Sequence, residues 1–218
     1  MKTMAMVVLA LLVAAPMASA TYFLHEDFEN YQQDWTHTGY NSLWHIEDYR
    51  AFSGEWSAAY NTRDATGAPP HYDIGWSWGR MMTPMMDLST ASEVYFEFAS
   101  WLETENSPDY MDVAYVGYST APILGWNYLT PDIQTFDQGV WNILSADLTP
   151  YLAGEEHAQI CFTFDSVDGL FNDYEGWYVD DVKVYDESTP PPIPEPSTLL
   201  LLGSGLLGLG AVTRRRRK

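Results

Sequence analysis

The side chains in this sequence best equipped for chemistry are its carboxylates. All but one of the 30 acidic residues, Glu195 being the exception, fall between Thr21 and Pro192. The basic residues there are Arg50, Arg63, Arg80 and Lys183, which leaves that stretch with a net charge of −25. Such a surface repels nucleic acid and anionic lipid, and crowded carboxylates invite a hard divalent cation, calcium first, to relieve their repulsion. A merely solvated acidic surface accounts for much of the charge without an ion. Two clusters lie at the ends of the stretch: Glu26, Asp27 and Glu29 in FLHEDFE, and Asp180 and Asp181 in GWYVDDVKV. Oxygen donors suit calcium over zinc or copper, and His25, His37, His45, His71 and His157 are scattered singly. Nucleophile-elbow, zinc-helix and phosphate-loop motifs are absent, so no catalytic residue is assigned. Glycoside hydrolysis needs only two carboxylates about 5–10 Å apart, which so acidic a chain supplies by abundance alone, and it stays open as an alternative. Cys161, the single cysteine, leaves no partner for an internal disulfide, and its apolar setting AQICFTF reads as a buried, inert thiol.

The second chemical resource is aromatic. Rings displayed on a flat surface stack against sugar rings. Trp76 and Trp78 in DIGWSWG, and Trp126 and Tyr128 in GWNYL, are each two residues apart and share a face if the chain is extended there. These four are the candidate ligand-binding residues, against the competing expectation that tryptophans are buried in a core.

Short apolar or alternating runs separated by Gly, Pro, Asn and Asp must position these groups, and no helical stripe appears from Tyr22 to Tyr185. YFLHEDF, LWHIED, WSAAYN, DIGWSWG, EVYFEFASWL, DVAYVGYS, GWNYL, VWNILSADL, AQICFTFDS and GWYVDDVKVY read as strands. About ten such strands predict an all-β, antiparallel jelly-roll β-sandwich over 21–187. In EVYFEFASW, Val94, Phe96 and Phe98 share one face, and Tyr95, Glu97, Ala99 and Trp101 the other; one of the two enters the core.

Both ends differ from this middle. MKTMAMVVLALLVAAPMASA has a basic start at Lys2, a short apolar run and small residues at Ala18 and Ala20, the pattern of a signal peptide over 1–20. Residues 188–197 are Pro-rich and suit a semi-rigid linker. The apolar stretch 198–213 is about 24 Å long as a helix, against a hydrocarbon core of about 30 Å, so it is a marginal transmembrane helix. The basic tail 214–218 reads as cytoplasmic.

Pro194, Glu195 and Pro196, the apolar run Leu199 to Val212, and Arg214, Arg215, Arg216 and Arg217, in that order, resemble the PEP-CTERM sorting signal of exopolysaccharide-producing Gram-negative bacteria. The resemblance implies processing by an exosortase, a membrane transpeptidase-like protease, from a transient inner-membrane intermediate. The tail is then removed and the protein is delivered to the cell surface or extracellular matrix. The alternative is a permanent single-pass anchor. FLHEDFE, Trp44, Ser53-Gly54 with Ser57, Pro84 with Asp87-Leu88-Ser89, Trp141 to Leu148 with Tyr151, and GWYVDDVKV resemble the MAM-like jelly rolls of secreted bacterial proteins and choice-of-anchor domains. The loop Asn61 to Ile74 and the stretch WSWGRMM depart from that pattern. This resemblance implies Trp44, Trp141 and Trp177 in the core, and a structural calcium joining the first strand to the last. Its ligands would be Glu29 and Asp181, helped by Asp27 and a backbone carbonyl near Ser53 or Gly54.

The resulting expectation is a matrix protein that binds a neutral or cation-bridged polysaccharide, or another matrix component, without cleaving it. A passive structural component is the alternative.

Overall fold

The computed structural model describes residues 20–30, 34–63, 68–105, 112–129 and 136–186. The expected signal peptide (apart from Ala20), the Pro-rich linker, the sorting helix and the basic tail lie outside the described residues. Among the described residues no helix is long and apolar enough to cross a membrane.

The described strands are β1 (Thr21–Glu26), β2 (Thr36–Tyr40), β3 (Trp44–Glu47), β4 (Ser57–Tyr60), β5 (Trp78–Met82), β6 (Tyr95–Glu103), β7 (Val113–Ser119), β8 (Asn127–Tyr128), β9 (Trp141–Asp147), β10 (Gln159–Asp165) and β11 (Gly176–Asp186). They form two antiparallel sheets. One has the order β3-β4-β11-β6-β9, with β1 also on β11; the other is β2-β5-β10-β7-β8. The long β11 organises the first sheet. One of its edges pairs with β6, while the other is shared, β4 taking Trp177 to Val179 and β1 taking Val182 to Asp186.

Alternation explains the core. Val94, Phe96 and Phe98 are buried, as are Phe162 and Phe164 on the facing strand β10. Trp177, fully buried, joins the sheets by touching Trp44 at 5.5 Å and Phe162 at 5.8 Å between ring centroids. Its indole N–H donates to Ser100 Oγ at 2.9 Å, and that of Trp44 to the Gly79 carbonyl at 3.1 Å. Each ring buries its apolar body while its one polar handle is satisfied.

Several expectations change. The strand expected over DIGWSWG begins only at Trp78 and runs on to Met82, because the chain bends through Gly75, whose φ is 82°. β2, with the polar sequence THTGY, is exposed along its whole length; an edge strand of this kind leaves no apolar alternation to read. A four-residue helix, α1 (Thr149–Leu152), follows β9 where no helix was expected. Trp141 is half-buried on the outer side of the first sheet rather than in the core with Trp44 and Trp177. Ala99 and Trp101 also face outward, yet they are buried, because the segment 48–56 crosses over them. Arg50 lies 4.0 Å above the Trp101 ring and pairs with Glu175 at 2.8 Å, and Phe52 meets Trp141 edge-on at 5.6 Å.

Asp112 is a titrating group inside the fold. It is buried and accepts a hydrogen bond from the Tyr72 hydroxyl. Burial is the main cause that pushes its carboxyl up to about 7, and the nearby Glu105 charge adds to it. An acid raised above its unfolded value stabilises the fold fully below about pH 4 and loses that contribution as pH rises through 7. The melting temperature is therefore expected to fall between about pH 4 and 7, and Asp112→Asn, which keeps an acceptor for Tyr72, is expected to flatten the profile. Calorimetry across that range checks this; an equal slope in the variant contradicts it.

Candidate functional site

The outer face of the five-stranded sheet gathers the aromatic candidates. Its register places Tyr40, Trp78, Asp165 and Val113 in one row across β2, β5, β10 and β7. Thr38, Arg80, Thr163 and Tyr115 form the next row, and Tyr128 of β8 lies opposite Gly117. Intervening residues such as Met81, Phe162, Phe164 and Ala114 point to the core, as the period of two requires. Gly39 lets β2 and β5 approach: a Cβ there would meet the Trp78 carbonyl oxygen at 2.1 Å.

The rings are held in place. Trp76, 45% exposed, stacks on Tyr40 at 4.9 Å and 23°. Its indole N–H donates to Asp165 Oδ1 at 3.0 Å, and the same oxygen accepts the Val167 amide at 2.8 Å. At the other side Tyr128, 49% exposed, meets Tyr115 edge-on at 4.5 Å. Between them Arg80 lies 5.2 Å over the Trp126 ring. Its Nε donates to Thr163 Oγ1 at 3.1 Å and its Nη2 to Tyr128 Oη at 3.0 Å. Burial, and then the neighbouring Tyr128, push the Tyr115 phenol up to about 12, so it stays a neutral hydroxyl at physiological pH. Cys161 lies on the same side of β10 but is buried, its thiol pushed up to about 11 by that burial. A cleft of about 310 Å³ continues the face beyond Trp126, between Ser119 and Asn127.

Trp76, Trp78, Trp126 and Tyr128 thus come to one face. Tyr40, Arg80, Tyr115, Thr163 and Asp165 complete it and were missed by the sequence reading. Alternation identifies which residues of one strand share a side, but cross-strand register brings these five to the same rows, and one sequence does not display register.

The acidic clusters meet at a different place. β11 passes from β4 to β1 at Asp180 and Asp181, where its pairing with β6 shifts register and Asp181 adopts a φ of 49°. β1 ends at Glu26 and the chain turns directly after it: Phe28 has a φ of 58°, and Asp27 Oδ1 accepts the Glu29 amide at 3.2 Å. Glu26 is buried, bonded to the Phe28 amide at 2.8 Å and the Trp35 indole at 3.2 Å.

Glu29 and Asp180 clasp one loop from two sides. Glu29 Oε1 accepts the amides of Glu55 and Trp56 at 2.7 and 2.8 Å, and Asp180 Oδ2 those of Phe52 and Ser53 at 2.8 and 3.1 Å. Gly54 sits against Glu29 with a φ of 63°; a Cβ there would come within 2.2 Å of Oε1. Burial pushes Asp180 up to about 6, opposed by the amides of Ser53, Asp181 and Phe52. Asp180 therefore holds the loop through its amides, and half-buried Asp181, the expected calcium ligand, stands beside it. Among the described residues no three His, Cys, Asp or Glu side chains are grouped to hold a metal. A calcium ion at this junction would draw on a few carboxylate oxygens, backbone carbonyls and water, a donor set that calcium accepts.

The PEP-CTERM protein-sorting motif matches residues 192–217. No curated protein matches the sequence. Among solved structures, TmCBM61 in complex with beta-1,4-galactotriose is similar with a TM-score of 0.52 and 13% identity, over 76% of this chain and 99% of that one. A carbohydrate-binding module from the beta-sandwich superfamily, described for its promiscuous specificity, is similar with a TM-score of 0.50 and 14% identity. That match covers 77% of this chain and 62% of the other. At these identities the likeness shows the fold, a β-sandwich of the kind the strand pattern predicts. The chain is therefore a jelly-roll β-sandwich protein carrying, over residues 192–217, a PEP-CTERM protein-sorting motif, which implies export and sorting by an exosortase.

Proposed function

We propose that this is a surface or extracellular-matrix protein whose five-stranded sheet binds polysaccharide without cleaving it. The observation that carries the reading is the convergence of Tyr40, Trp76, Trp78, Tyr115, Trp126 and Tyr128 on one outward face. Several of these rings are fixed by neighbours before any ligand arrives, which lowers the ordering cost of binding. The rings supply stacking surface, and the hydroxyls of Thr38 and Tyr115 with the Arg80 guanidinium supply polar contacts that orient a sugar. Of the described residues in these rows Asp165 is the one carboxylate, and it is committed to Trp76 and Val167, which leaves no acid–base pair. The galactotriose complex of the similar module supports the choice of ligand class.

Affinity electrophoresis through gels containing purified matrix polysaccharide tests this. Retardation without release of reducing ends is expected. No retardation with any glycan favours a passive matrix component, and released reducing ends reveal a hydrolase.

The sorting motif gives a further expected result. In a host with its exosortase, mass spectrometry of the surface-located protein finds a C-terminus near Pro194 to Ser197, after transit through the inner membrane. Intact Arg214 to Lys218 in that fraction contradicts the removal of the tail. A structural calcium at the β1–β11 junction, held by Glu29 and Asp181 with Asp27 and a carbonyl near Ser53, belongs to the same proposal; it would fix the 52–56 loop and take no part in sugar contact.

A further inference from the structure

We infer that Arg80 makes the aromatic face a reader of acidic sugars, binding a uronate carboxylate in a polysaccharide that stacks on the surrounding rings. This rests on the polysaccharide-binding reading above and names the substrate class.

The argument starts from the scarcity of positive charge. Of the four basic residues between Thr21 and Pro192, three are neutralised: Arg50 by Glu175 at 2.8 Å, Arg63 by Asp48, and Lys183 by Glu97 at 3.2 Å. Arg80 makes no ion pair among the described residues, although the stretch Thr21 to Pro192 carries a net charge of −25. It bonds neutral groups instead, Thr163 Oγ1 through Nε and Tyr128 Oη through Nη2, with the buried Cys161 thiol also beside it. Asp165, the nearby carboxylate in these rows, is turned to the Trp76 indole and the Val167 amide.

A half-buried guanidinium laid over Trp126 and anchored by neutral groups is a preorganised donor with no carboxylate partner among the described residues. A planar carboxylate is the partner its fork fits best. The rings place such a group on a sugar. Two residues of strand advance about 7 Å, so a saccharide chain lying on Trp78 reaches Arg80 next, between Trp78 on one side and Tyr115 and Tyr128 on the other. The acidity of the rest of the surface does not prevent this, because charges beyond about 8 Å are largely screened at physiological ionic strength.

The test uses the exported domain, residues 21–188, whose described core lies between Phe28 and Val184. Calorimetric titration in the presence of a chelator, which removes cation bridging, compares polygalacturonate, the same polymer with its carboxyls reduced to alcohols, and dextran sulfate. The expected result is affinity for the polyuronate at least tenfold above that for its reduced twin, with the ratio collapsing toward one in Arg80→Gln and partly kept in Arg80→Lys. Equal affinity of the parent for both polymers overturns the inference while leaving the aromatic platform standing. Binding of dextran sulfate but not polyuronate overturns the carboxylate assignment. Failure of all three polymers to bind overturns the inference, while the platform reading stands or falls by retardation in the affinity gels. The parent's ratio alone decides the matter where a variant does not fold.

Discussion

Replacing Trp76 and Trp78 together by alanine is expected to weaken polysaccharide binding at least tenfold while leaving the melting temperature within a few degrees of the parent. Trp76 is 45% exposed and Trp78 half-buried, and neither belongs to the core cluster around Trp44, Phe162 and Trp177. The loss of one stacking ring costs about 1–3 kcal/mol by analogy with base stacking, and each 1.4 kcal/mol is tenfold in affinity. Trp76 also anchors Tyr40 by stacking, so the double variant frees a third ring. Affinity electrophoresis with parent and variant side by side measures the effect. A variant that migrates like the parent shows that the sugar sits elsewhere.

Chelation is expected to lower the melting temperature by several degrees. A ligand that binds only the folded state at about 100 times its dissociation constant adds about 2.7 kcal/mol. At the β1–β11 junction the gain has a physical source. Burial disfavours the charged form of Asp180, and Glu29, Asp180 and Asp181 crowd negative charge around one loop. A divalent cation offsets both penalties. Glu29→Gln and Asp181→Asn are each expected to abolish the difference between calcium and chelator. The same melting temperature with and without chelator contradicts a structural ion.

The fold was largely legible because the period of two was strong wherever a strand faced the core. Val94, Phe96 and Phe98 in β6, and the apolar run in β10, could belong to little else. β2 was invisible for the opposite reason: Thr36 to Tyr40 buries nothing, so its strand state is imposed by pairing with β5 rather than by its own pattern. Burial outside the main core was equally hidden. Trp101 and Ala99 look solvent-facing by alternation, and their burial depends on the distant segment 48–56 folding over them. The candidate site was half legible. Aromatic spacing within single strands marked Trp76, Trp78, Trp126 and Tyr128, whereas Tyr40, Arg80 and Tyr115 join them through cross-strand register. At the acidic junction the sequence marked both carboxylates, but the role of Asp180 in holding the loop was not legible, because a register shift and a left-handed residue decide which of the two meets the loop amides.

The most direct test is a titration of the isotopically labelled domain with an oligosaccharide it binds, followed through the indole N–H resonances of its nine tryptophans. The account predicts that Trp76, Trp78 and Trp126 shift together on one binding curve, while Trp44 and Trp177 in the core and Trp101 and Trp141 on the opposite sheet stay where they were. Saturable shifts confined to Trp101 and Trp141, with the first three unmoved, would contradict it.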